Sequence, residues 1–450
     1  MTAPVITTPT TPKTTGPVLS GRSVPSRHAG PSRLGHASHL SCRECGATYE
    51  LGATHVCAEC FGPLEVSYDL PTVTRASIEA GPHNIWRYAS LLPVPADVAA
   101  GPNTEPGWTQ LVRADQLARA TGLRSLWVKD ERSNPTHSFK DRVVAVALAA
   151  AIELGFKVLA CPSTGNLANA VAAAAARAGI RSVVLIPADL EPQKIIATSI
   201  YGGTVVAVQG SYDDVNKLAS ELADEREDWA FVNVNVRPYY AEGSKTIGFE
   251  IAEQLGWRLP EQIVVPVASG AQLVKIDKAF RELVALGLVP DTGWKVFGAQ
   301  AAGCSPVTAA FEAGHDVVQP VRPDTLAKSL AIGNPADGPY VLDVVRRTGG
   351  ALAAATDDEM VDAIRLLAAT EGIFAETAGG VTLASLRKLV DSGQLDPDAE
   401  TVIINSGDGL KTLDAVAPGL PVLTPIRPSL AAFEALEAAS GPQAGQAGRA

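Results

Sequence analysis

The chain has 450 residues, 46% of them hydrophobic, with 37 basic against 48 acidic side chains and a net charge of −11. Length and apolar content predict two or more folded units around a large core, and the acidic balance argues against nucleic acid as a partner. No apolar run approaches the roughly 18 residues needed to span a bilayer, so a membrane is not expected as a partner either.

Residues 1–38 are rich in Thr, Pro, Ser and Gly and carry Lys13, Arg22, Arg27 and Arg33 without a single acid. Such a composition cannot bury a core, so a disordered arm is expected. The acid-poor, Arg/Ser-containing pattern also fits a transit peptide, but Pro4, Pro9, Pro12, Pro17, Pro25 and Pro31 would break its amphipathic helix. Residues 39–68 hold Cys42, Cys45, Cys57 and Cys60 in a C-x2-C-x11-C-x2-C spacing, with Gly46 and Gly62 permitting tight turns. This pattern predicts a tetrahedral four-thiolate zinc ribbon, closed and therefore structural. A redox dithiol pair and a nucleic-acid-binding ribbon are the alternatives, and the latter lacks a basic cluster. Paired C-x-x-C motifs suit a reducing, cytoplasmic compartment better than a disulfide framework. Cys161 and Cys304 stand alone, and Cys161 reads as a small packing residue.

From about Leu126 short β-rich apolar runs alternate with Ala/Leu-rich stretches of helical length. Strands are expected at 125–130, 157–161, 182–187, 204–209, 230–235, 262–267, 294–300 and 400–405. Helices are expected at 138–154, 166–179, 192–201, 213–226, 244–255 and 273–286, and a short one follows from about Ser429 before a loose tail. Alternation of this kind implies an α/β fold with parallel sheets covered on both faces. Three strands run into small or hydroxyl-rich loops that open helices: "CPSTGNLAN" (161–169), "PVASGAQLV" (266–274) and "NSGDGLKT" (405–412). Ligands of open α/β sheets bind at the carboxyl ends of strands, and free N–H groups at helix starts hold phosphate. Taken singly, each loop is equally served by turn geometry alone.

The stretch "NPTHSFKDR" (134–142) puts Lys140 on the first turn of a helix. A free lysine amine titrates near 10.4 and is a poor nucleophile. Positive potential at a helix start and partial burial lower that value, and the amine can then form a Schiff base with an aldehyde such as pyridoxal phosphate. By position alone, an ordinary surface lysine is the simpler reading.

The full string resembles the N-P-T-x-S-F-K-D-R signature of threonine synthases, members of the β-family (fold type II) of pyridoxal-phosphate enzymes. "STGNLAN" (163–169), "AEGSKT" (241–246), "SLAIGNPADG" (329–338) and "NSGDGLKT" resemble further family segments in the same order, so the resemblance covers roughly Cys42 to Thr412. It implies two α/β sheet domains with the cofactor in the cleft between them, after the zinc ribbon: a small domain at 120–243 and a large one at 69–119 plus 244–428, with 429–450 as helix and tail. It implies that Lys140 anchors the cofactor covalently and then shuttles protons. Asn166 would bond the cofactor's phenolic oxygen, Ala268, Ser269, Gly270, Ala271 and Gln272 its phosphate, and Ser406 the pyridine nitrogen. Asn166 as a helix cap fits equally well. "ASGAQ" departs from the G-N-x-G-N loop of many members, and His137 stands where Gly is common; it either lines the pocket or packs.

The reaction implied converts O-phospho-L-homoserine and water into L-threonine and phosphate, the last step of threonine biosynthesis. Ser163 and Thr164 are expected at the substrate carboxylate and Arg237 and Lys245 at its phosphate, Arg237 also reading as a plain surface arginine. The resemblance allows a homo-oligomer. A threonine dehydratase-like lyase of the same fold and a non-catalytic ligand sensor are the rival readings.

Overall fold

The computed structural model describes residues 34–163, 165–188, 192–210, 212–420, 423 and 425–440. The expected arm lies outside them up to residue 33, as do Thr164 and the tail beyond 440. Leu34 is already fully buried, so ordered structure begins before residue 39.

Among the described residues thirteen strands form three sheets: β1 (Ala37–Cys42), β2 (Thr48–Tyr49), β3 (Leu64–Tyr68), β4 (Gln110–Arg113), β5 (Ser125–Asp130), β6 (Val158–Pro162), β7 (Arg181–Pro187), β8 (Thr204–Val208), β9 (Trp229–Phe231), β10 (Gln262–Pro266), β11 (Lys295–Ala301), β12 (Leu352–Ala355) and β13 (Glu400–Asn405). β2-β1-β3 make an antiparallel ribbon around the cysteines. A four-stranded parallel sheet has the order β8-β7-β6-β9. A six-stranded sheet has the order β12-β11-β10-β13-β5-β4, parallel except for β4 on its edge.

The inner strands of the two parallel sheets are buried because helices cover both faces, while the edge strands β4 and β8 are largely exposed. β6 and β10 are buried at every position. The ribbon shares a core with the four-stranded sheet: Leu34, Leu40 and Val66 pack in one cluster with Val143, Ala170 and Tyr239. Among the described residues no helix is long and apolar enough to cross a membrane.

Two expectations need correction. β5 pairs with β13 from Glu400↔Ser125 to Asn405↔Asp130, so residues 125–130 belong to the six-stranded sheet and not to the small domain expected from residue 120. The strand expected at 230–235 stops at Phe231. There the Asn235 side chain folds back, accepting from Phe231 N at 2.8 Å and donating to Trp229 O at 3.0 Å. A side chain that bonds its own backbone in this way replaces the ladder and turns the chain.

Candidate active site

Parallel strands of both sheets bring carboxyl ends together: Phe139 N donates to Ser406 O at 3.0 Å, and Asn166 and Ser406 both bond Glu376 at 2.8 Å. β5 leads through residues 131–139 to Lys140, β6 through 163–165 to Asn166, β10 through 267–270 to Ala271, and β13 directly to Ser406. This is where ligands of open α/β sheets bind.

Lys140 is the first residue of the Lys140–Glu153 helix and is half-buried. Its Nζ donates to the Tyr240 hydroxyl at 2.8 Å and lies 4.6 Å from the Phe139 ring centre. Tyr240 is brought there by Gly243, where a Cβ would come within 2.6 Å of Val143 Cα. Only glycine lets the Arg237–Glu242 helix approach the lysine helix so closely.

The residues flanking Lys140 are supports. Asp141 accepts from Thr136 N at 2.8 Å and Thr136 Oγ1 at 2.9 Å, and burial pushes its carboxyl up to about 6. Arg142 is fully buried, bonding Glu131 at 2.6 Å, Glu250 at 2.6 Å and Thr246 at 3.1 Å. Burial alone would raise the Glu250 carboxyl, but Arg142 and Lys129 outweigh it and hold it near 2. Thus the "KDR" and "KT" ends of two quoted motifs meet in one closed charge network.

His137 is not on the helix. It is exposed, at φ 62, in the turn before the helix begins, and its carbonyl accepts from Asp408 N at 3.1 Å. That left-handed backbone favours glycine.

Asn166 and Ser406 meet through a residue the sequence reading missed. Glu376 is 2% exposed; its Oε2 accepts from Asn166 Nδ2 at 2.8 Å and its Oε1 from Ser406 Oγ at 2.8 Å. With its proton directed at Glu376, the Ser406 oxygen offers lone pairs to a ring N–H. Glu376 opens a helix in "FAETAGG", and a lone acid among small and apolar residues at a helix start was the available signal.

In the 268–272 turn, Gly270 has φ 102 and opens a 15-residue helix, Ala271–Ala285. Gln272 Nε2 is buried with no partner among the described residues, as are Ser138 Oγ and Thr377 Oγ1. Unpaired buried donors are costly. Ser138 and Thr377 adjoin the Asn–Glu–Ser bridge and Gln272 lies in the first turn of the Ala271–Ala285 helix, so the donors suit a ligand carrying hydroxyl, ring nitrogen and phosphate. The residues therefore suit pyridoxal phosphate.

Ser163 is buried near the Asn166 helix, its Oγ accepting from Gly165 N at 3.4 Å. Arg237 reaches across to the six-stranded body, Nη2 to Asp337 Oδ2 at 2.6 Å. Asp337 is a second missed residue; its backbone N donates to Ser269 O at 2.8 Å, which fixes it beside the 268–272 turn. Lys245 is not brought to the cleft. It is fully buried, with its Nζ on Glu242 at 2.9 Å, Glu282 at 2.9 Å and Leu91 O at 2.8 Å. All three ammonium donors are satisfied, so no donor remains for a substrate phosphate.

The sulfur atoms of Cys42, Cys45, Cys57 and Cys60 lie within 4.8 Å of one another. Glu44 N and Glu59 N each point at a sulfur, Cys42 and Cys57, at 3.4 Å. Tyr49, whose hydroxyl is 3.1 Å from Cys57 Sγ, lowers that thiol to about 6. Four converging sulfurs with backbone donors suit a tetrahedral thiophilic ion.

Comparisons with known proteins agree with this geometry. Residues 103–407 match the family model "Pyridoxal-phosphate dependent enzyme". Threonine synthase of Methanocaldococcus jannaschii is 37% identical over 380 residues, covering 83% of this chain and 93% of the relative. Threonine synthase of Methanosarcina acetivorans is 38% identical over 378 residues, covering 83% and 92%. Among solved structures, the processed form of threonine deaminase isoform 2 from Solanum lycopersicum aligns with a TM-score of 0.58 at 22% identity, covering 72% of this chain and 87% of that one. Maize serine racemase aligns at 0.56 and 22%, covering 67% and 88%. At such identities the structural likeness speaks for the fold alone. The chain belongs to the pyridoxal-phosphate-dependent enzyme family and, within it, to the threonine synthases.

Proposed function

We propose that this chain converts O-phospho-L-homoserine and water into L-threonine and inorganic phosphate. The observation that carries this reading is the meeting of the Lys140 segment, Asn166 and Ser406 at the strand ends, in a chain more than a third identical to two threonine synthases.

The bound cofactor supplies an electron sink for carbanion character at Cα and then Cβ. The chain's own residues do the rest. Lys140 Nζ carries the proton between these carbons, and the Tyr240 hydroxyl at 2.8 Å orients it. Gln272 Nε2 and the free N–H groups of the Ala271–Ala285 helix receive the cofactor's phosphate. Asn166 and Ser406, held by Glu376, would address its phenolic oxygen and its pyridine nitrogen. The start of the Asn166–Ala178 helix offers N–H groups to the substrate's carboxylate. Arg237 meets its phosphate: as the γ-carbon–oxygen bond breaks, charge grows on the leaving phosphate, and a guanidinium placed there favours that state. A proton taken from Cα or Cβ is delivered to Cγ, which becomes the methyl group; water then adds its hydroxyl at Cβ and gives up its other proton to the base, and a proton returns to Cα. The four cysteines would hold a zinc ion, and a set of four thiolates suits a structural rather than a catalytic site.

A dehydratase of the same fold is the competing chemistry. The assay that separates them supplies O-phosphohomoserine and threonine in turn. Phosphate release from the first, dependent on added cofactor, is expected. Formation of 2-oxobutanoate from the second, without phosphate release from the first, overturns the proposal.

A further inference from the structure

One side chain of the ribbon's first knuckle, Arg43, does not point into solvent. Arg43, next to Cys42, lays its guanidinium 3.5 Å over the Tyr340 ring. Its Nη1 lies 3.8 Å from Asp337 Oδ1 and its Nε 3.7 Å from Glu65 Oε2, and the neighbouring Glu44 accepts from the Tyr340 hydroxyl. Asp337 thus stands between two arginines from different parts of the molecule, Arg43 of the ribbon and Arg237 of the helix that also carries Tyr240. Its own position is fixed: the backbone N bonds Ser269 O, and a Cβ on Gly270 would come 3.0 Å from Asp337 Cβ.

An arginine tied to a carboxylate is a poor anion receptor until it is released. A largely buried carboxylate that loses its partner costs free energy and repels an arriving anion. A second cation already stacked beside it removes both penalties. Arg43 fits that part: it is held in place by Tyr340 and lies just outside hydrogen-bond range of Asp337, so it can close when Arg237 leaves.

We infer that Arg43, on the cysteine ribbon, is a positioning residue for the substrate phosphate, neutralising Asp337 so that Arg237 can turn to the anion. This rests on the reading of Arg237 given above. Arg43 itself touches no reacting atom.

The test uses the full-length, cofactor-loaded protein. Arg43→Ala raises KM for O-phosphohomoserine about tenfold, leaves kcat within about twofold, and weakens calorimetric binding of inorganic phosphate by the same factor as KM. Metal content stays at the parent level, and Arg43→Lys recovers part of the loss. In an Asp337→Asn background, Arg43→Ala adds nothing further, because the charge it neutralises is gone. Should Arg43→Ala lose its metal, Arg43→Gln, which keeps the stem on Tyr340, carries the same comparison. Unchanged KM and phosphate affinity in a metal-replete Arg43 variant overturn the inference, as does an undiminished Arg43→Ala effect in the Asp337→Asn protein. Arg237→Ala separates the two layers. If it binds phosphate as well as the parent, the reading of Arg237 falls. If it binds poorly while the Arg43 variant binds normally, only the role of Arg43 falls.

Discussion

Lys140 and Lys245 each open a helix, each inside a segment resembling the threonine synthases, and the structure gives them opposite surroundings. Lys245 is sealed, with Glu242, Glu282 and a carbonyl on its ammonium. Its neighbours extend the seal: Lys275 and Lys278 bind Glu242 and Glu65, and Tyr68 donates to Glu242 at 2.7 Å, so ribbon and both sheets are joined at this point. Lys140 is half-buried with one neutral partner, the Tyr240 hydroxyl. A helix start supplies the same potential to both, so what separates a reactive amine from a structural one is how many of its three donors the fold has already satisfied.

The comparison can be broken at either end. The largest effect is expected at the open end: Lys140→Ala lowers phosphate release by at least about 1000-fold, the upper range for a lost proton carrier, with little change in melting temperature. A variant with ordinary turnover removes Lys140 from the chemistry. At the sealed end, Lys245→Met destabilises the fold by about 3 kcal/mol, because Glu242 and Glu282 lose a buried counter-ion. Urea unfolding reads this directly, and a variant as stable as the parent with impaired phosphate binding would return Lys245 to the cleft.

A smaller effect concerns the residue beside Lys140. The Asp141 carboxyl titrates at about 6 in the folded chain against 3.8 ordinarily, so folding disfavours its charged form. The neutral acid contributes fully below about 4, and that contribution is lost as pH rises through about 6, on the order of 3 kcal/mol. Asp141→Asn should flatten stability between these limits; an unchanged pH profile contradicts the assigned burial. The smallest effect is expected at Glu376→Gln, which keeps the Ser406 bond and loses the one from Asn166, lowering stability by about 1 kcal/mol and weakening retention of the cofactor. Dialysis followed by cofactor quantitation checks it.

The sequence made the α/β alternation legible because the strands are covered on both faces and therefore read as unbroken Val/Ile runs. β4, an edge strand of mixed polarity, and β12, "LAAA", carried no such signal. The helix Asp357–Glu371 was also missed, although Thr356 and Glu359 form a capping box written plainly in "TDDE". At the site, residues in strand-end loops were legible from small-residue turns and the lysine string. Tyr240, Asp337 and Glu376 were not, since each acts across 100 or more positions of sequence on Lys140, Arg237 and Asn166. Lys245 was misplaced for the converse reason: its partners Glu242 and Glu282 close over it only in the folded chain.

The account depends on which of the two helix-start amines meets the cofactor. Borohydride reduction of the fully loaded, folded protein, followed by peptide mapping by mass spectrometry, should find the pyridoxyl adduct on Lys140 and leave Lys245 unmodified. An adduct on Lys245, or an unmodified Lys140 in protein that retains its full complement of cofactor, would contradict it.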